Sequence, residues 1–385
     1  MSNRMRGNLS QKRLQSSKPS EAAKDEAGAK GKAGKSQNRL SAGARTNEPT
    51  GRVHQETPIS ALFEDQLYTD LFTARCHDTG EGITLENAKI FKEELLKKNV
   101  KNSNSLNLAS LRLGINSIIA LSNSEQVGKI EKLQLADNAI TDYGMHAIKT
   151  VINKTRLNYL NLASNMISGE GLELFLDDLI SNTSLKHLDL GVLETSMRKN
   201  SLGIQGAVCI AALLIRNQTI SQLCVNDNDF GTDGGECIGV ALSQSETLRV
   251  LKISENDLKS EGAIPIINSS ANLETLNLAK NNLKSDVGKP LERLLKKSRV
   301  LRKLSLEYNE LMGHGSKFLA QGIQRNASLE YLNVKGNVIG DQGMILLAQS
   351  LQNAPKLKEL DVSLNEIGPT GFQVLCDILP DTNLQ

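Results

Sequence analysis

Between Leu329 and Lys356 the chain reads LEYLNVKGNVIGDQGMILLAQSLQNAPK, and this 28-residue stretch limits what the whole sequence can fold into. Leu329, Leu332 and Val334, followed by Asn337 and Ile339, put apolar side chains at alternate positions, as a short strand requires. From Gly343 to Asn353, Ile345, Leu346 and Leu351 fall at helical spacing. One strand plus one helix cannot bury its apolar side alone, so the stretch predicts stacked copies of itself.

The copies are there. The position of Leu329 is filled by Ser103, Ile130, Leu157, Leu185, Ile220, Leu248, Leu273, Leu301, Leu329 and Leu357, at gaps of 27, 27, 28, 35, 28, 25, 28, 28 and 28. Asparagine follows eight residues later at Asn138, Asn165, Asn228, Asn256, Asn281, Asn309, Asn337 and Asn365; Leu111 replaces it in the first copy, and Asn200 is displaced in the fourth. Six residues beyond come Gly144, Gly171, Gly206, Gly234, Gly262, Gly315, Gly343 and Gly371, with Val287 beside Gly288 in the seventh copy. The strand leucines are expected to point inward, and the asparagine side chains to bond loop backbone as a ladder between copies. Strands stack about 4.8 Å apart whereas helices need about 8–10 Å, so the stack must curve with its strands inside. The predicted fold is an α/β solenoid, a horseshoe of about ten strand–helix repeats with a parallel inner sheet and outer helices.

L-x-x-L-x-L-x-x-N-x-L at this period, with glycine at the helix start, resembles the ribonuclease-inhibitor type of leucine-rich repeat. The resemblance covers residues 103–385. It implies a protein-binding scaffold with no cofactor and no catalytic centre, as in ciliary and cytosolic scaffold proteins and the arrays of NOD-like receptors. Ran GTPase-activating protein shares the fold, so a regulatory adaptor or GTPase activator is the alternative; the acidic tail of that family is missing here.

Two segments precede the repeats. Residues 1–57 contain no aromatic residue and are rich in Ser, Lys, Gly and Ala, a composition that predicts a disordered leader. Residues 1–58 hold 12 Lys/Arg against 5 Asp/Glu, leaving 33 against 38 for the rest. Such a basic leader suits an anionic surface such as a microtubule. Arg4, Arg6, Lys12, Arg13 and Lys18 precede the first acid, as in mitochondrial transit peptides, but apolar residues are too sparse for an amphipathic helix. Residues 58–102 are expected to form a helical cap: an apolar stripe from Ile59 to Phe72, a break at His77–Gly82, and a helix opened by Thr84.

Departures from the repeat are the best internal pointers to a site. Seven extra residues enter the fourth copy, so Gly191 to Lys199 is expected to emerge beside the concave face, with Val192, Leu193, Met197, Arg198 and Lys199 as a contact finger. Pro265 lies inside the helix of the short sixth copy and is expected to loosen the helix layer there. On the sheet's outward positions, Tyr159 and Tyr331 are candidate aromatic anchors, with Tyr308 and Lys335 nearby. His187 and Asp189 share one side of a strand, which invites acid–base chemistry, but no motif supplies a nucleophile. The histidines lack zinc spacing, no phosphate loop occurs, and the five cysteines, expected as buried thiols, form no C-x-x-C pair.

The net acidic array argues against nucleic acid as partner. The longest apolar run, Ala207–Ile215, is too short for a bilayer and reads as a core helix. An eleventh strand begins near Leu384 with no polar closing repeat, so the C-terminal end is expected to be sticky. Together these features predict a non-catalytic cytoplasmic scaffold in a cytoskeletal, ciliary or axonemal assembly. Its partners are expected on the concave face, the 191–199 insertion and the C-terminal end.

Overall fold

A computed structural model describes residues 59–100 and 103–384; the basic leader lies outside the described residues. Three helices come first: α1 (Ile59–Leu62), α2 (Gln66–Thr79) and α3 (Leu85–Lys98). The repeats then give β1 (Ser105–Asn107), α4 (Ile115–Asn123), β2 (Lys132–Gln134), α5 (Met145–Lys154), β3 (Tyr159–Asn161), α6 (Gly169–Glu173), α7 (Leu176–Ser181) and β4 (His187–Asp189). They continue with α8 (Gly203–Arg216), β5 (Gln222–Cys224), α9 (Gly231–Leu242), β6 (Val250–Lys252), α10 (Lys259–Ser269) and β7 (Thr275–Asn277). The last are α11 (Gly288–Lys297), β8 (Lys303–Ser305), α12 (Met312–Ile323), β9 (Tyr331–Asn333), α13 (Gly340–Leu351), β10 (Glu359–Asp361) and α14 (Pro369–Ile378).

All ten strands pair in parallel in chain order, as one sheet. Register is fixed by the central leucine of each strand, from Leu106 against Leu133 to Leu332 against Leu360. A slip of one residue would turn that leucine to the other face, so burial enforces the alignment. The core is a single spine from Phe63 to Leu357, filled by strand leucines and the inner sides of the helices.

The asparagine ladder forms as expected. Asn138 Oδ1 accepts from the amides of Leu111 (3.1 Å) and Leu113 (2.9 Å), while its Nδ2 donates to the Leu108 and Leu135 carbonyls at 2.9 Å. Asn200, displaced in sequence, still fills its rung by accepting from Asn165 N and Ile167 N. The repeat glycines sit a turn further on, where in several copies a side chain would strike the apolar residue four positions back. A Cβ on Gly144 would meet Ile140 Cγ2 at 2.4 Å, and one on Gly206 would meet Leu202 Cβ at 2.3 Å.

Three expectations need correction. Helix α2 runs through His77 to Thr79 and stops at Gly80, whose φ of 72° ends it; the break comes later than the glycine pattern suggests. The extension has a purpose, because Asp78 at its end accepts from Gly114 N, Asn116 N and Ser117 N and caps α4. Asp341 makes the same kind of bond to Gly368 N and Gly371 N between later copies, so α2 imitates a repeat. Pro265 does not loosen the helix layer. It lies inside a continuous α10, which packs backbone-close on α9 through Gly235, Gly239 and Gly262. The thiols are not uniformly buried: Cys76 and Cys209 are, Cys224 and Cys237 are half-exposed, and Cys376 is exposed.

Candidate protein-docking face

The residue before each in-register ladder asparagine is held in the left-handed region: Asp137 (φ 56°), Ser164 (55°), Asp227 (53°), Glu255 (57°), Lys280 (52°), Tyr308 (51°), Gly336 (66°) and Leu364 (55°); Lys199, before the displaced Asn200, is not. The strand must turn there to aim the asparagine inward, and that turn costs an ordinary residue about 1 kcal/mol of strain. In return, one side chain per repeat is splayed along the edge where the strands end. This row escapes a reading based on apolar spacing alone. Its only sequence signal is position, immediately before the asparagine.

The 191–199 insertion is built onto this row and is not a free finger. Ser196 Oγ donates to Asp137 Oδ1 at 2.6 Å, and Arg198 Nη1 reaches the same oxygen at 3.1 Å. Lys199 Nζ lies 2.6 Å from Asp227 Oδ2, and Leu193 N donates to Ser164 Oγ at 2.8 Å. Arg198 and Lys199 therefore act as struts within the chain, with the Lys199 side chain still 62% exposed. Beside the exposed Glu194 and Thr195, the loop presents an apolar tip: Met197 is 95% exposed and Leu193 37%, with Val192 half-buried below. Fixing the loop in advance removes much of the ordering cost that a flexible finger would meet on binding.

Burial acts to raise the Asp137 carboxyl, but hydrogen bonds from Ser196, Ser110 and Arg198 outweigh it and hold the group below its ordinary 3.8. A depressed carboxyl contributes stability above its ordinary pKa and loses it as pH falls through the lowered one. The loop should thus stay seated at neutral pH and release only in acid. At neutral pH, Asp137→Asn should raise hydrogen exchange of the 191–199 amides about fivefold, the equivalent of one partly exposed charged contact. Unchanged exchange would show that the struts carry no load.

The remaining candidates fall into two groups. Strands β3 and β4 bring Tyr159 and His187 edge to face at 4.6 Å, and Asn161 Nδ2 lies 3.4 Å from both Tyr159 Oη and Asp189 Oδ2. Five strands away, about 24 Å at sheet spacing, Tyr331 lies on β9. Just past β8, Lys335 Nζ sits 5.4 Å and Lys280 Nζ 6.0 Å from the Tyr308 ring centroid. Glu255 holds Lys280 at 2.9 Å. A partner touching both groups must span most of the sheet.

Burial pushes His187 below its ordinary 6.5, opposed by Asp189 and aided by Lys252. Burial, then the Asp189 carboxylate, pushes the neighbouring Cys224 thiol up to about 12, which keeps it protonated. Among the described residues no three His, Cys, Asp or Glu side chains are grouped to hold a metal, and no helix is long and apolar enough to cross a membrane.

A family model described as Leucine Rich repeat matches residues 153–176, 216–239, 244–266, 325–348 and 353–376. Each match starts at or just past the end of one helix and runs through a strand into the next helix. No curated protein sequence matches the chain. Among solved structures, the tropomodulin C-terminal domain of Caenorhabditis elegans is 13% identical over 46% of this chain and 92% of its own, at a TM-score of 0.32. The Rad7 and Elc1 complex in yeast is 16% identical over 80% of this chain and 78% of that one, at 0.43.

Proposed function

We propose, from the premise that the chain is a leucine-rich-repeat protein, that it is a non-catalytic scaffold whose partner docks across the sheet face and the 191–199 loop. The observation that carries this is Met197, almost fully exposed on a loop that is pinned by charged struts to two different repeats. An exposed, pre-positioned apolar tip beside a polar, aromatic-bearing sheet has the composition of a docking hot spot within a polar rim. Tyr159, His187 and Asp189 form one contact group, and Tyr308, Tyr331 and Lys335 the other.

The finer reading is membership of a cytoskeletal or ciliary assembly. Its support is the excess of basic residues in the leader, which suits an acidic filament surface. One experiment separates the levels. A photo-crosslinking residue replaces Met197 in the full chain, which is irradiated with polymerised tubulin, with actin filaments, and in a cell extract. A crosslink to either filament supports both levels. A crosslink in extract to a soluble protein alone supports the scaffold and overturns the filament assignment. No crosslink in any arm removes the loop from the docking face.

A further inference from the structure

Along the opposite edge, where helices end and strands begin, charge is arranged in two tiers. The inner tier is Arg249, Glu274, Arg302, Glu330 and Lys358, neighbours in the sheet ladder: Glu274 N bonds Arg249 O at 2.7 Å, Arg302 N bonds Glu274 O at 2.8 Å, Glu330 N bonds Arg302 O at 2.8 Å, and Lys358 N bonds Glu330 O at 2.9 Å. Signs alternate from strand to strand, and Lys358 Nζ pairs with Glu330 at 3.6 Å. The outer tier is different. Lys297, Arg299, Arg325 and Lys356 are all exposed, and among the described residues none forms an ion pair. Lys297 ends α11 and offsets its dipole. Arg299 and Lys356 lie past the helix ends, so that explanation does not reach them.

Between the tiers is a cleft of about 110 Å³, lined by Arg299, Arg302 and Lys356 with Glu274, Glu330 and Ser328. Arg299, Arg302 and Lys356 face Glu274 and Glu330, and because Glu330 is already engaged by Lys358 the cleft keeps a net positive charge. The cleft has room for one acidic side chain, which that charge would attract. The alternating signs of the inner tier would interrupt a continuous phosphate backbone.

We propose that this edge of the seventh to tenth repeats binds an acidic polypeptide segment. One Glu or Asp side chain seats against Arg299, Arg302 and Lys356, and flanking acids lie over Lys297 and Arg325. This surface is separate from the docking face above, and either assignment stands without the other.

The test is fluorescence anisotropy with a labelled peptide of alternating Glu and Gly, added to the full chain at low and physiological salt. Binding should weaken with salt, and Arg299→Glu with Lys356→Glu should cost at least about tenfold, because two attractive contacts become repulsive. Both side chains are exposed, so circular dichroism should show the variant folded, and a Lys–Gly peptide should gain affinity for it. Three results overturn the proposal. One is a variant that binds the Glu peptide like the original chain. Another is single-stranded DNA of equal charge that binds as tightly and is lost in the same variant. The third is self-association of the chain, abolished by the variant, without peptide binding.

Discussion

Replacing Asn309 by Ala should destabilise the array by about 3–5 kcal/mol and should split its unfolding into two steps. Asn309 Oδ1 accepts from Asn281 N and Leu283 N, each at 3.0 Å, and its Nδ2 donates to Leu278 O at 3.1 Å and Leu306 O at 2.8 Å. Leu306 O keeps a second donor in Asn337, but the other three backbone groups have no alternative partner. A buried polar group left unpaired costs about 1–3 kcal/mol, so three of them cost at least about 3 kcal/mol, and partial relaxation of the loop keeps the loss toward that end. In a solenoid each repeat is held only by its neighbours, so a broken rung lowers the coupling between the blocks on either side. Differential scanning calorimetry should show a shoulder, and hydrogen exchange should place the early transition in repeats eight to ten. Asn309→Asp supplies the contrast, because it keeps the acceptor for both amides and should cost distinctly less. Equal losses for the two variants would mean that the amide donors, not the acceptor, hold the rung.

The ladder was readable from sequence because its chemistry is periodic. An asparagine eight residues after a leucine recurs often enough that Asn200 is recognised even when displaced, and the structure puts it on its rung. The docking face was legible only in part. Tyr159 and His187 follow from strand alternation, and their contact was implied by adjacent registers. The anchoring of Arg198 was not, because Asp137 lies 61 residues away and nothing local couples them. Spacing also hid Asp78, which caps a helix 36 residues on, and it hid the row of left-handed residues, whose identities vary from Asp to Tyr while only their backbone repeats. Side chains that meet a neighbour one period away are visible to a pattern. Those that bridge several periods depend on the finished curvature.

The sixth repeat shows the same limit, and the second large effect is expected there. Shortening this copy to 25 residues leaves less room between its helix and the previous one, and glycines absorb the difference. A Cβ on Gly262 would lie 2.6 Å from Thr232 O, and one on Gly239 would lie 2.5 Å from Pro265 Cβ and 2.6 Å from Ile266 N. These neighbours are backbone or ring atoms that cannot rotate away. Gly262→Ala gains about 1 kcal/mol of helix propensity, yet it must separate α9 from α10, and overpacking of this kind costs about 1–3 kcal/mol or more. Packing should win: Gly262→Ala is expected to be destabilising, and Gly262→Val, with no propensity gain to compare, to lose about 3 kcal/mol or more. Gly313 in α12 is the control, since its added Cβ meets nothing nearer than Ile339 O at 3.4 Å. There the propensity term acts alone, and Gly313→Ala should leave stability unchanged or raise it by about 0.5 kcal/mol. Urea denaturation of the three variants decides the matter. Stabilisation by Gly262→Ala would mean that α9 and α10 have slack between them, and that Pro265 does loosen the helix layer.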